Sequence, residues 1–535
     1  MGRAFGQPER SSSIAGRVVN SVTGAPLHRA TVEISLEGRD DVRGQAGTEG
    51  DGQFLLRALP AGRYRISVSR PGYAPMNYGA RRPNAPGQIV TLGANENKSG
   101  LVVRMNLLGA VSGTIARLPP STVTAYVQAT PLHFTPGTPG LAQIRSGTVD
   151  KDGAYRVYNL LPGRYLIAVT YSQRQPPPSM PAGTRFDSNT RMSTFYPSTL
   201  NQDEAQIVDV APGADVAGID IAVRPMELST LAVRVQWPDG VVIEKPTTAS
   251  IPTVLPISIR SAASRSGMSA ASLSFQVGDT RPAYSSLVPG RYSVGGTVDL
   301  LGRCYAASRE VDLSGGPADA VLLLEPCVDL KGRIVISGVG SAPPANLRVE
   351  LRSHHEQFLL HDRGNVQPDG VFVIRAIPPG LWDVTVSPLP AASYLKAMTL
   401  GSLDVLNRPM PITSSTAVPL QIVVGARGAE LRGHVERGIA TTVLAAPEGD
   451  SAAIPSRYAT TAVDENGDFR FLGLYPGTYR IYAFEDLEPQ AWVDPDFLPQ
   501  YQDLGALVQL HEGSAPALSL KTIPGTRPRS KGGAR

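Results

Sequence analysis

The densest set of side chains able to hold a metal is His354, His355, Glu356, His361 and Asp362. Imidazole nitrogens and carboxylate oxygens are zinc ligands, and alternate residues of a strand can bring two of them onto one face. No closed ligand set of known spacing results, so a polar loop or edge strand is the preferred reading. Asp150-Lys151-Asp152-Gly153 and Asp464-Glu465-Asn466-Gly467-Asp468 have the acidic spacing of calcium loops. An EF-hand needs Glu at its twelfth position, and these stretches have Leu161 and Tyr475 there, which leaves them as turns between strands. There is no Gly-x-Ser-x-Gly, His-Glu-x-x-His, phosphate-binding loop or Cys-x-x-Cys. No catalytic residue, metal ligand or cofactor site is assigned, and the chain is expected not to be an enzyme. A metal-dependent hydrolase survives only through the 354–362 cluster.

Aromatic residues are the stronger candidates for binding. Trp492, Phe497 and Tyr501 lie in one Pro- and Asp-rich stretch, Phe195 and Tyr196 in another, and Tyr73 and Tyr78 in a third. Rings beside acids and amides could form a sugar-binding surface, because the apolar face of a pyranose packs on a ring while its hydroxyls take hydrogen bonds. The competing reading, which is preferred, folds these rings back to cap the open end of a β-sandwich.

The two cysteines, Cys304 and Cys327, carry a geometric argument. Residues 303–313 and 320–327 read as strands joined through Ser314-Gly315-Gly316-Pro317, and Gly-Gly is a recognised hairpin turn. Cys304 precedes Gly315 by as many residues as Cys327 follows Gly316, so the two should face each other across the hairpin and form a disulfide.

These residues sit on repeated elements. Asp51-Gly52, Phe54, Leu59, Gly62 and Tyr64 recur as Asp152-Gly153, Tyr155, Leu160, Pro162-Gly163 and Tyr165, then as Asp369-Gly370, Phe372, Ile377, Pro379-Gly380 and Trp382. They recur again as Asn466-Gly467, Phe469, Leu474, Pro476-Gly477 and Tyr479. A degenerate copy keeps Asp279, Leu287, Pro289-Gly290 and Tyr292 but has Thr280 for the glycine and Pro282 for the aromatic. Asp-Gly predicts a type I′ hairpin turn and Pro-Gly a type II turn. The strand opened by each Tyr alternates apolar and polar residues, and its aromatic should fasten the turn as a tyrosine corner does. Upstream strands carry Gly16, Gly113, Gly332 and Gly433, with Val233 in the third copy. A glycine inside a strand signals a bulge or a close backbone approach.

Composition agrees with this pattern. Fifty-four Gly and 47 Pro in 535 residues demand frequent turns, and 42% hydrophobic residues can fill several cores. A formal net charge of +4, spread thinly, makes no nucleic-acid surface. No run of 18 apolar residues predicts a membrane-spanning helix.

The Asp-Gly-x-aromatic core with its Leu, Pro-Gly and Tyr, preceded by a Gly-Arg-Val type strand and by Gly24-Ala25-Pro26-Leu27, resembles the carboxypeptidase regulatory-like domain. The resemblance implies a transthyretin-like, carbohydrate-binding-like sandwich, found in tandem in bacterial envelope and secreted proteins. The peptidase activity of the enzymes that carry such domains does not transfer, because no histidine here has Glu three residues on. The expected fold is therefore all-β, a tandem array of five Ig-like or transthyretin-like antiparallel β-sandwiches. The expected units are 13–107, 108–225, a divergent 226–327, 328–427 and 428–525, between a disordered 1–12 and a basic tail, 526–535. Short linkers suggest a monomeric rod. The expected function is a non-enzymatic extracytoplasmic scaffold or binding protein whose partner is a polysaccharide or an envelope protein, with carbohydrate binding by the aromatic loops as the alternative. Residues 1–13 lack the apolar segment of a secretory signal, so an export leader is expected to be missing from the given sequence.

Overall fold

The computed structural model describes residues 12–524, apart from 38, 133–143, 175–184, 188, 225, 238–253, 263–269, 301, 339–345, 355–359, 391, 437–440 and 489. The fold is all-β: five Ig-like sandwiches, each with its own buried core. Among the described residues the only helices are short 3-10 turns, and none is long and apolar enough to cross a membrane.

Unit 1 shows the plan. Its first strand, Ser12–Asn20, pairs antiparallel with Gln53–Leu59 and parallel with the last strand, Asn97–Met105. The facing sheet is built from Thr31–Leu36, Arg39–Gly47 and Gly62–Ser69. The other four first strands, Gly109–Ala116, Ser229–Gln236, Val328–Ser337 and Ala429–Glu436, each repeat both pairings. Each first strand thus has a parallel neighbour in an otherwise largely antiparallel sandwich, and in unit 2 it has two short ones, Asp215–Val216 and Ile221–Ala222. Alternating residues fill the core: on Gly62–Ser69, Tyr64, Ile66 and Val68 are buried while their neighbours are more exposed.

The first-strand glycine marks a close approach. Gly16 lies opposite Phe54, Gly113 opposite Tyr155, Gly332 opposite Phe372 and Gly433 opposite Phe469. A side chain at Gly16, Gly332 or Gly433 would collide with that ring and with a carbonyl of the last strand, Leu101, Leu420 or Leu518. Tyr155 also donates to the Ile219 carbonyl, 2.6 Å away.

The Asp-Gly turn differs from the expected type I′ hairpin. Only the glycine has positive φ (Gly52 78°, Gly153 83°, Gly370 85°, Gly467 85°). The Gly52 amide donates to Glu49 O and the Glu49 amide to Gln53 O, a three-residue loop with a left-handed glycine. The strands it joins belong to opposite sheets, Arg39–Gly47 in one and Gln53–Leu59 in the other, so the turn is a crossing point. The glycine carbonyl accepts the Val18 amide at 2.9 Å, which ties the crossing to the first strand. Ile115, Ile334 and Val435 are tied in the same way by Gly153, Gly370 and Gly467. The Pro-Gly glycines are likewise not type II: Gly290, Gly380 and Gly477 have φ of 155°, 155° and 154°, far from the roughly +80° required.

The tyrosine corner is present. The hydroxyls of Tyr64, Tyr165 and Tyr292 donate to the carbonyls of Pro60, Leu161 and Val288 at 2.6, 2.7 and 2.5 Å, and the Trp382 indole donates to Pro378 at 3.0 Å. In each case the acceptor lies four residues upstream.

Unit 3 lacks a device that the other four share. Ala58, Asn159, Ala376 and Gly473 have positive φ, and beside each the register of the first strand shifts by one residue. Ser229–Gln236 pairs with Ala283–Leu287 without a shift, which sets Val233 against Ala283 where the others place glycine against an aromatic. Val233 and Ala283 are both buried in the core of unit 3. The disulfide forms, with Cα atoms 5.3 Å apart. The expected register holds beside it, Tyr305 opposite Pro326 and Ala306 opposite Glu325. The hairpin between is not continuous, because Ala318–Leu323 crosses to the other sheet and pairs with the first strand.

The rod expected from short linkers is not what forms. Unit 5 lies against units 1 and 2, and charged pairs and a main-chain contact between them bend the array back on itself.

Gly433→Ala should destabilise unit 5 by about 3 kcal/mol or more, through overpacking against the Phe469 ring and the Leu518 carbonyl. Gly47→Ala, whose new methyl would meet nothing, should leave thermal unfolding nearly unchanged; equal effects would contradict the account. Burial pushes the phenols of Tyr165, Tyr292 and Tyr479 up to about 12, against about 10 in an unfolded chain. The unfolded chain releases these protons first as pH rises, so their contribution is intact below pH about 10 and is lost between about 10 and 12. Denaturant titrations at pH 8 to 12 should show that decline, with native phenolate absorbance lagging behind; ionisation of all phenols near pH 10 in the folded protein would refute it.

Candidate functional site

The residues singled out by their chemistry divide sharply once placed. His355, Glu356 and the side chains of His361 and Asp362 lie outside the described residues, while His354 is exposed, with its Nδ1 3.0 Å from Asp383. Among the described residues no group of three or more His, Cys, Asp or Glu is arranged to hold a metal. Asp150 uses its carboxylate to accept the amides of Asp152 and Ala154, holding the crossing turn.

Phe497 and Tyr501 are buried, in keeping with the preferred reading that these rings fold back on the sandwich and not with an exposed aromatic face. The strand Gly477–Phe484 has apolar residues on both sides: Tyr479, Ile481 and Ala483 enter the sandwich core, while Tyr482 and Phe484 point outward. Burying that second face needs a cover, and the 3-10 turns Ala491–Val493 and Leu498–Leu504 supply it. The Tyr501 ring stands edge-on to Phe484 at 5.1 Å, and Phe497 lies 5.8 Å from Phe484, with Trp492 half-buried at the margin. Phe195 and Tyr196 are half-buried, and Tyr196 packs on the core of unit 2. Tyr73 and Tyr78 pack on unit 1.

What the structure does assemble is a junction of units 1, 2 and 5 that motif reading missed. Arg82 makes a two-pronged pair with Asp486, Nε–Oδ1 2.5 Å and Nη2–Oδ2 2.9 Å. Arg164 holds Glu488 through Nη2 at 2.7 Å and Nε at 3.2 Å. Lys98 reaches Glu465 at 2.5 Å, and Arg81 lies 3.6 Å from Glu485. Arg63 spans Glu37 of its own unit at 2.8 Å and Asp464 at 3.0 Å. In every one of these contacts between units the base comes from unit 1 or 2 and the acid from unit 5.

Asp464 is the most buried of the acids, its side chain 6% exposed. Its Oδ1 accepts the amides of Asn466 and Asp468, which fixes the crossing turn of unit 5, and its Oδ2 takes Arg63. Beside it the Ile89 amide donates to the Val463 carbonyl at 3.1 Å, and Ile89 and Asp464 form a parallel bridge. The two-pronged geometry of Arg82 with Asp486 and the burial of Arg164 with Glu488 make those two pairs stronger than ordinary surface salt bridges. A cleft of about 80 Å³ beside Arg82, Arg164 and Glu488 is too small for an ordinary ligand. The chemistry on offer is cohesion between units.

A sequence signal for the junction existed in hindsight. The acids Glu485, Asp486 and Glu488 cluster directly after the Tyr479 strand, and Arg81-Arg82 stand together in unit 1. Nothing in their spacing pairs segments some 400 residues apart.

Residues 13–105 match the carboxypeptidase regulatory-like domain family, in agreement with the resemblance read from the sequence. No curated protein sequence matches the chain. Among solved structures, the TIE protein of Bacillus anthracis is similar at 11% identity, covering 78% of this chain and 74% of that one, with a TM-score of 0.15. GBS52, a minor pilin of Streptococcus agalactiae, is 11% identical over 41% of this chain and 97% of that one, TM-score 0.22. BcpA, the major pilin subunit of Bacillus cereus, is 9% identical over 59% and 99%, TM-score 0.14. Likenesses this distant carry no argument about activity.

Asp464→Asn keeps an acceptor for the turn but removes the charge that holds Arg63. Unit 5 should lose roughly 1–3 kcal/mol, and the Ile89 amide should exchange with deuterium markedly faster. An Ile89 amide as protected as in the parent protein would show that Asp464 does not hold the junction.

Proposed function

We propose that this chain is a non-enzymatic scaffold that works outside the cytoplasm, holding five sandwiches in a set arrangement. The observation that carries the reading is where the capable side chains are spent. Charged residues of units far apart in the chain are joined in close pairs, Arg82 to Asp486, Arg164 to Glu488 and Lys98 to Glu465, as short as the pairs Arg470 to Glu430 and Arg480 to Glu448 made within unit 5. At the junction of units 4 and 5, Lys396 and Glu512 do the same at 2.7 Å.

The disulfide supports both parts of the proposal. Cys327 immediately precedes Val328–Ser337, the first strand of unit 4, and its amide donates to Cys304 O at 2.9 Å. The bond therefore anchors the point at which the chain leaves unit 3. Disulfides persist in oxidising compartments and are rare in the cytosol. The partner class in keeping with such an array is a polysaccharide or another envelope protein. Of the rings on which the sugar-binding alternative relies, Phe497 and Tyr501 are buried, while Phe195, Tyr196 and Trp492 are half-buried.

Thiol mapping of the protein from its native cells, after blocking free sulfhydryls before lysis, tests the compartment. Cys304 and Cys327 should be joined, and the protein should fractionate outside the cytosol. A reduced pair in a cytosolic fraction would overturn the proposal. Closing a loop of this length contributes about 3 kcal/mol, so the Cys304→Ser, Cys327→Ser double variant should lower the melting temperature of unit 3 by several degrees.

A further inference from the structure

The face that units 1 and 2 present to unit 5 has a polarity that bears on more than closure. Arg63, Arg81, Arg82, Lys98 and Arg164 stand on one side, and Asp464, Glu465, Glu485, Asp486 and Glu488 on the other. Each side also presents a sheet edge. Among the described residues Val90–Leu92 pairs only with Gly62–Ser69, and Ala459–Ala462 is the outer strand of its sheet in unit 5. The bridge between Ile89 and Asp464 brings these edges together just before the one strand and just after the other.

Two unlike surfaces that complement each other form a heterologous contact, and such a contact can be made within one chain or between copies. Sheet edges with unpaired amides and carbonyls favour pairing with another chain when they are uncovered. We propose that the basic face of units 1 and 2 is an interaction surface whose partner is unit 5 of a second copy of this chain. Two copies exchange their fifth units and form a reciprocal dimer with two clasps, each identical in contacts to the one made within a single chain. Unit 5 keeps its own fold in both arrangements; only the copy that supplies the basic face changes. In the single chain the closed form prevails in dilute solution, because tethering gives unit 5 an effective concentration on the order of millimolar at its own site. Exchange takes over when the clasp within the chain is displaced, or when copies are crowded to a comparable concentration. The inference rests on the junction alone and stands whether or not the compartment proposed above is right.

Charge reversal separates the alternatives. One full-length variant carries Arg82→Glu and Arg164→Glu; a second carries Asp486→Arg and Glu488→Arg. Each alone confronts like charges across the junction and should be an open monomer with a larger radius of gyration than the parent protein. Mixed in equal amounts, the two restore complementary faces only between copies. Light scattering after size exclusion should then find a species of twice the monomer mass, absent from either variant alone. The variant carrying all four substitutions regains complementarity within one chain and should return to a compact monomer, which guards against a loss of folding being mistaken for opening. A mixture that stays monomeric while the fourfold variant is compact would overturn the proposal, as would single-face variants that keep the compact size. Failure of the fourfold variant to close would overturn it too, by showing that these charges do not specify the contact.

Discussion

The buried carboxylate of Asp464 belongs to two structures at once, and the arrangement of the molecule depends on that double use. One oxygen holds the turn by which unit 5 crosses from sheet to sheet; the other holds Arg63 of unit 1. A carboxylate withdrawn this far from water is costly unless all its acceptor capacity is met by charge and hydrogen bonds. Here two amides and a guanidinium meet it. The turn therefore cannot be fully satisfied without the neighbouring unit, and local folding of unit 5 is coupled to its place in the array. Units 1, 2 and 4 turn the same corner with Glu49, Asp150 and Gln367, all exposed, and among the described residues none of these three clasps a distant unit in this way.

Within each unit the account is one of close approach. A first-strand glycine admits an aromatic ring, the left-handed glycine of the crossing turn caps the same strand two residues later, and the corner aromatic returns a hydrogen bond to the loop before it. Unit 3 shows that these are linked choices. Losing the bulge shifts the register by one residue, so the glycine and the aromatic are no longer opposite each other, and Val233 with Ala283 is a consistent replacement. What had looked like decay of a motif is a different solution to filling the same space.

Much of this was legible in the residues. The five copies, the corner aromatics and the facing cysteines follow from spacing and local chemistry, which act over a few residues and leave periodic traces. The turn types were misread, because Asp-Gly and Pro-Gly fit several geometries and only the sheets to which the flanking strands belong decide between them. The aromatics at 492–501 were placed rightly beside the sandwich, yet their burial turned on Tyr482 and Phe484 making the second face of Gly477–Phe484 apolar. The junction was not legible at all. Charged residues on a surface leave no periodicity, and the matching of Arg82 to Asp486 or Lys98 to Glu465 exists only after the units have folded and turned back.

The central claim is that the array closes on itself, and zero-length cross-linking tests it most directly. A carbodiimide joins only an amine and a carboxylate already in contact, and Lys98 Nζ lies 2.5 Å from Glu465. The adjacent-unit pair Lys396 and Glu512, 2.7 Å apart, provides the internal standard. In the monomer band at dilute protein concentration, both cross-links should be recovered by mass spectrometry. Recovery of the Lys396 to Glu512 link without any Lys98 to Glu465 link would mean that unit 5 does not rest on unit 1.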